Sequence, residues 1–322
     1  MGGIIAFVKE WTLLVALVLG SVVYLLFSRI PALEPVGDFM GPKLVDLMPY
    51  IIFTMLYLTF CKIDMKNFRP RKWHFALQGI RTLLSALVVF AISLIPVGDT
   101  ETKLIMEGVF ICVICPTAAA APVVTEKLGG GIATMTVYMI IANIFSVIII
   151  PTFFPMVEHS ANITFGIAFL LVLKRVFLVL AVPLILGLLT QHYLPRVVEW
   201  VKRQRNLAFY LWSCNLSIIM GLAVRMITRT QLTGLALFLL LFLPLIVCLI
   251  LFTIGKAVGG IWGERINGGQ ALGQKNNVVG IWLMHSFLNP VAVIAPCAYV
   301  VWQNIINAIQ LWYKDKYGYL KW

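Results

Sequence analysis

The sequence predicts an all-α integral membrane protein, with ten transmembrane helices in two inverted five-helix repeats. Composition is the first reason: of 322 residues 61% are hydrophobic and only 12% charged, and the mean hydropathy is +0.96. Soluble domains carry roughly 45–50% apolar and about 25% charged residues, so a water-soluble fold is excluded. Length is the second. A span takes about 20 apolar residues to cross ~30 Å of hydrocarbon, so ten spans consume about 200 residues and leave no room for a sizeable soluble domain. The third is that the fourth and ninth candidate spans, in corresponding places of the two halves, are both polar and interrupted. An odd number of spans per half turns the second half upside down relative to the first.

Charges, prolines and glycine clusters divide the chain into candidate spans at roughly 12–28, 44–62, 75–96, 104–128, 132–154, 165–192, 207–228, 231–257, 267–288 and 290–312. Lys9 and the apolar run behind it read as the first span rather than a removable signal. The sixth candidate contains Lys174–Arg175, so residues 163–173 are expected to lie along the interface, with the true span starting near Val176. The net charge of +12 needs no nucleic acid partner, because basic residues collect in cytoplasmic loops. Lys62, Lys66, Arg69, Arg71 and Lys72 follow the second span, Arg196 to Arg205 the sixth, and Lys314, Lys316 and Lys321 the tenth. With Lys9, Lys127, Lys256 and Arg265 that side receives sixteen basic residues against seven on the other. Both termini are therefore expected in the cytoplasm, with the body in the cell (inner) membrane. Trp11, Trp73, Trp200 and Trp312 fall near span ends, as interfacial aromatics do. The six cysteines lie in apolar stretches without a metal-binding spacing and are expected as buried free thiols.

The fourth span reads ICVICPTAAAAPVVTEKLGGG, with Pro116 and Pro122 around an alanine run. The ninth reads INGGQALGQKNNVVGIWLMHSF and contains Gln274, Lys275, Asn276 and Asn277 in succession. Four consecutive polar residues cover every face of a helix, so they must line a cavity or a break. Paired interrupted spans are the sequence mark of a transporter's binding site, since unpaired backbone at membrane depth must face protein or water. An intramembrane lysine costs roughly 2.5–3.5 kcal/mol even on mild scales. Lys275 therefore needs partners: unwound carbonyls, the flanking Gln274 and Asn276, and an anionic substrate. Thr117 and Thr125 flank the fourth-span break and offer hydroxyls to a substrate or to helix packing. His285 is a candidate proton relay or an interhelical donor. Asn143, Asn215 and Asn304 read as interhelical glue, and Arg81 as a residue that snorkels from the end of the third span. No HExxH, GxSxG, nucleotide loop or intramembrane acidic pair is present, so no enzymatic activity is expected.

CPTAAAAPVVTEKLGGGIA resembles the fourth-span signature of the bile acid:sodium symporter family, and ALGQKNNVVGIWLMHSFLNP its ninth. The second span with its basic exit, PYIIFTMLYLTFCKIDMKNFRPRKW, and Trp302-Gln303-Asn304 add weaker similarity, so the resemblance covers roughly residues 40–312. It implies a core of spans 3–5 and 8–10 (about 75–154 and 231–312) that moves against a panel of spans 1, 2, 6 and 7 (about 12–62 and 165–228). Spans 4 and 9 would unwind and cross near the midplane. Family members carry organic anions such as conjugated bile acids, pyruvate-like acids and pantoate, most of them driven by two sodium ions. Aligned on Gly273, the family's sodium-binding glutamate falls on Ala271 and its glutamine on Lys275. The serine and asparagine of the fourth span fall on Ala121 and Pro122, and the fifth-span hydroxyl positions fall near Met135 and Met139. Sodium prefers oxygen ligands, ideally with a carboxylate. Both sodium sites are therefore expected to be lost, and no other cofactor or metal is expected. The resulting expectation is a secondary transporter of a small organic anion in the lipid bilayer, with Lys275 standing in for a sodium ion or carrying a proton. Two alternatives remain: a metalloid efflux carrier using Cys115, and a non-transporting membrane sensor.

Overall fold

In a computed structural model of the chain, residues 12–63, 69–158, 164–204 and 207–320 are described. Lys9, Trp11, Lys66, Arg205 and Lys321, which entered the charge and interface reading, lie outside them. The described residues form helices and no strands. In chain order the helices are α1 (Thr12–Arg29), α2 (Glu34–Cys61), α3 (Lys72–Ser93), α4 (Thr100–Ile114), α5 (Ala121–Leu128), α6 (Ile132–Val157) and α7 (Phe165–Val176). There follow α8 (Val182–Tyr193), α9 (Pro195–Arg203), α10 (Leu207–Arg229), α11 (Gly234–Gly260), α12 (Arg265–Gly273), α13 (Asn277–Phe287) and α14 (Ile294–Tyr317). Among the described residues seven helices are long and apolar enough to cross a membrane, and Val15–Arg29 is a shorter apolar helix. The remaining apolar segments are two pairs of short helices, α4 with α5 and α12 with α13, each pair separated by a break. This is an all-helical, multi-pass membrane protein.

Two expectations about the elements change. The stretch expected to lie along the interface is helical from Phe165 and runs on through Lys174 and Arg175. A π-helical segment, Phe177–Ala181, joins α7 to α8, so Phe165–Tyr193 counts as one candidate span. The second span begins earlier than expected, at Glu34, and carries Pro42 and Pro49 within its helix.

The chain divides into two compact units. The first comprises the residues up to Lys62 with Pro183–Gln231. Within it α10 lies against α1, where the Ser217 hydroxyl donates to the Ala16 carbonyl at 3.0 Å. α2 meets α8 through Tyr57 and Thr190 at 3.0 Å and through Gln191, whose amide donates to the Phe60 carbonyl at 2.7 Å. The second unit comprises Ile63–Val182 and Leu232–Trp322 and contains both broken pairs.

Helices of the second unit turn polar groups inward and apolar groups outward, as a lipid solvent demands. On α3, His74, Gln78, Arg81 and Ser85 are buried, while Phe75, Leu83, Leu87 and Phe90 are exposed. On α14, Gln303, Asn307 and Gln310 are buried and Ile305, Ile309 and Trp312 exposed. Among the described residues the one buried carboxylate of this unit is that of Glu107 on α4, which accepts from the Asn289 backbone at 3.3 Å. α4 itself starts where Asp99 caps it, accepting from the Thr102 backbone at 3.0 Å. None of the six cysteines is in a disulfide; Cys214 is exposed and the other five are buried. The expectation of six buried thiols fails there because Cys214 sits on an outward face of α10. Trp200 and Trp312 are exposed, but Trp73 is buried and stacks on Tyr138 with ring centroids 5.5 Å apart, so it is a core residue rather than an interfacial one.

Candidate functional site

Two prolines set the first break. Pro116 follows the end of α4, and the residue before a proline is driven out of the helical region; Cys115 accordingly has φ −54° and ψ 142°. Pro122 opens α5, where its missing N–H costs nothing. The second break has no proline. Gln274 leaves the helix with extended backbone (φ −93°, ψ 96°), and α13 restarts at Asn277.

The two breaks satisfy one another. Thr117 and Lys275 form an antiparallel β-bridge. The Ala118 N–H donates to the Gln274 carbonyl at 2.9 Å and the Asn276 N–H to the Pro116 carbonyl at 2.8 Å. Thr117 adds its hydroxyl, donating to the Ala271 carbonyl at 2.7 Å. α14 supports the second break from the side. Gln303 accepts from the Lys275 N–H at 2.9 Å and donates to the Lys275 carbonyl at 3.3 Å. Tyr299 donates to the Gly273 carbonyl at 2.8 Å, and Gln270 donates to Asn307 at 2.9 Å. Below the crossing, Asn267 exchanges two bonds with the Gly131 backbone, at 3.0 and 2.9 Å. Backbone that would be ruinous in hydrocarbon is thus paired within protein.

At the centre, Lys275 is 1% exposed. Its ammonium donates to the carbonyls of Val113, at 2.8 Å, and Cys115, at 3.2 Å, at the open end of α4. The last carbonyls of a helix lack internal partners and carry the negative end of its dipole, which is where a cation belongs. α13 comes close to α4 here: a Cβ on Gly280 would press on the Ile111 side chain at 2.5 Å and on the Cys115 sulfur.

The other anticipated residues fall as follows. Gln274, Asn276 and Asn277 are buried, and Gln274 Oε1, Asn276 Nδ2 and both Asn277 amide atoms have no hydrogen-bond partner. Thr125 is buried with an unpartnered hydroxyl one turn into α5, beside the buried Ala121 and Pro122. His285 is half-buried in the last turn of α13, away from the crossing. The structure gathers Thr117 and Gln274–Asn277 at the crossing and leaves His285 at its margin. Buried polar atoms without partners are rare and call for water, an ion or a ligand.

Several residues were misread or missed. Arg81 does not snorkel: it is 1% exposed and donates to the Ser146 hydroxyl at 2.9 Å and the Ala142 carbonyl at 3.3 Å. Asn143 and Asn304 bond to Met139 and Val300 on their own helices, and Asn215 is without a side-chain partner, so none of the three is interhelical glue. Tyr299, Gln303 and Asn267 went unnoticed as supports. The α14 amides do carry a signal, since Gln303, Asn307 and Gln310 recur at the spacing of one helix face. Among the described residues no three His, Cys, Asp or Glu side chains converge as a metal site.

The model of the sodium bile acid symporter family matches residues 49–254, a stretch that includes the first break and ends before the second. No curated protein matches the chain. Apolar helices, a mutually paired pair of breaks and a match over more than half the sequence lead to one conclusion: this chain belongs to the sodium bile acid symporter family, whose members are membrane transporters.

Proposed function

We propose that the protein is a secondary transporter of a small organic anion that works by alternating access without sodium coupling. In this reading ten spans form two inverted repeats, with each broken helix pair counting as one span. The panel and core are those drawn above, and both termini are cytoplasmic. The Lys275 ammonium does the work of a coupling cation: it neutralises the carbonyl-lined crossing and presents positive charge to an anionic substrate. One observation carries the reading, namely the ammonium seated on the Val113 and Cys115 carbonyls at the crossing of the two breaks. A sodium ion would need those same oxygens, and Ala271 offers it no carboxylate. The unpartnered amides of Asn276 and Asn277 and the Thr125 hydroxyl are neutral groups suited to orienting a carboxylate or sulfonate.

The test is uptake into proteoliposomes, with taurocholate and pyruvate as the two probe anions. Saturable uptake of either probe without a sodium gradient, reduced at least about tenfold in Lys275→Ala, is the expected result. Sodium-stimulated uptake that survives in Lys275→Ala overturns the proposal. A pH gradient imposed on the same vesicles separates proton coupling, which accelerates uptake, from exchange or facilitated diffusion, which does not respond.

A further inference from the structure

Arg81, like Lys275 and Lys256, is a buried cation, and its surroundings have no use in the reading above. It lies on the inner stripe of α3, facing α6, where His74 pairs with Thr134 at 3.0 Å and Arg81 with Ser146 and Ala142. Between these two closed contacts lie Gln78 and Tyr138, both 0% exposed. Both amide atoms of Gln78, Arg81 Nε and the Tyr138 hydroxyl close no hydrogen bond in the seam, and the Tyr138 hydroxyl lies near Thr117. The Arg81 and Lys275 charges repel one another. Among the described residues no carboxylate pairs with Arg81 or Lys275: the ion pairs described in this unit are Arg71–Glu264 and Lys103 with Glu107 and Glu158.

A buried guanidinium held only by neutral acceptors is an incomplete arrangement. Removing a charge from water costs several kcal/mol unless an opposite charge or a full set of hydrogen bonds replaces the solvent. Guanidinium has five N–H donors and no acceptor, and a tyrosine hydroxyl and an amide NH2 add more donors. A water molecule could occupy one of these donors, but it carries no charge. Excess donors around an uncompensated cation, sealed from lipid, fit a small monovalent anion.

We propose that a small inorganic anion of the chloride class binds in the seam between α3 and α6, held by Arg81 with the Tyr138 hydroxyl and the Gln78 amide as neutral donors. The anion supplies the counter-charge that Arg81 lacks and leaves Lys275 for the organic substrate. This site does not depend on the transport reading, because none of its three donors is a group assigned there to the substrate.

The experiment uses the purified full chain in detergent, with its thermal unfolding followed as sodium gluconate is replaced by sodium chloride at constant sodium and ionic strength. The wild-type midpoint is expected to rise saturably by a few degrees at about 100 times the half-saturating concentration, and bromide is expected to substitute for chloride. Tyr138→Phe keeps the ring stacked on Trp73 but removes the hydroxyl, and raises the half-saturating concentration about tenfold. Arg81→Gln abolishes the rise. Should Arg81→Gln fail to fold, Tyr138→Phe decides. Lys275→Ala retains the rise, which separates this site from the transport reading whichever way that falls. No halide-dependent rise in the wild type overturns the proposal, as does a rise equal in Tyr138→Phe and wild type. A rise with acetate but not with halides assigns the seam to a carboxylate and overturns the inorganic anion.

Discussion

Thr117 shows how much of the crossing rests on single side chains. Its hydroxyl caps the Ala271 carbonyl at 2.7 Å while its backbone bridges Lys275. In Thr117→Val the shape is kept and a buried carbonyl loses its donor, at a cost of about 1–3 kcal/mol. The unfolding midpoint is expected to fall by a few degrees, and Thr117→Ser, which keeps the hydroxyl, is expected to stay near wild type. A Val variant as stable as the Ser variant would mean the bond contributes nothing. Lys275 was legible in the sequence because no helix face can hide four consecutive polar residues. Arg81 was not, since one arginine near the end of an apolar run looks like a snorkelling residue. The clue was available in its neighbours, because His74, Gln78, Arg81 and Ser85 recur on one face of α3.

Helix packing in lipid has little hydrophobic force behind it, so elements must approach closely to gain dispersion energy. α11 and α12 do so through glycine. A Cβ on Gly255 would overlap the Gly268 carbonyl, one on Gly268 would overlap the Gly255 carbonyl, and one on Gly259, a turn on, would come within 2.9 Å of Gly268 Cα. This contact holds α12 in the position from which Ala271 and Gly273 offer their carbonyls to Thr117 and Tyr299. Gly268→Ala is expected to destabilise by about 1–3 kcal/mol, because backbone rather than a flexible side chain must move. Gly79→Ala on α3, where a Cβ meets nothing within 4 Å, is the matched control and is expected to be neutral or slightly stabilising. Equal loss of midpoint in both variants would mean the cost is generic to helix glycines. The long uncharged apolar run over residues 231–255 marks α11 in the sequence, and the helix turns Phe238, Phe242, Ile246 and Leu249 outward and Leu240, Pro244, Cys248 and Leu251 inward. At Phe165–Tyr193 the pair Lys174–Arg175 reads as a division in the sequence, yet the helix runs on through it. Arg175 lies over the Phe287 ring at 5.0 Å, a contact between distant segments that composition cannot show.

At the scale of the whole molecule, the open quantity is how many times the chain crosses the bilayer. Among the described residues four long apolar helices lie between positions 98 and 262: Ile132–Val157, Phe165–Tyr193, Tyr210–Arg229 and Gly234–Gly260. The broken pair α4 with α5 is the deciding element. Alone, the 15 residues of α4 reach roughly 22 Å at ~1.5 Å per residue, short of the hydrocarbon thickness. Joined to α5 across the break, the segment is long enough to cross. Counting the pair as one crossing gives five between the two positions and places them on opposite sides; counting it as none gives four and places them on the same side. Gly98 and Trp262 are both exposed in connecting segments, and Cys214 is the exposed thiol to remove. In a Cys214→Ala background, Gly98→Cys is expected to react with a membrane-impermeant maleimide on intact cells, and Trp262→Cys only after permeabilisation, as the basic-residue bias requires. Labelling of both from one side would leave the pair re-entrant, and with it the inverted repeat would fail. The reverse pattern would preserve the repeat and invert the whole body, because the sixteen-to-seven charge asymmetry fixes only which way the protein faces.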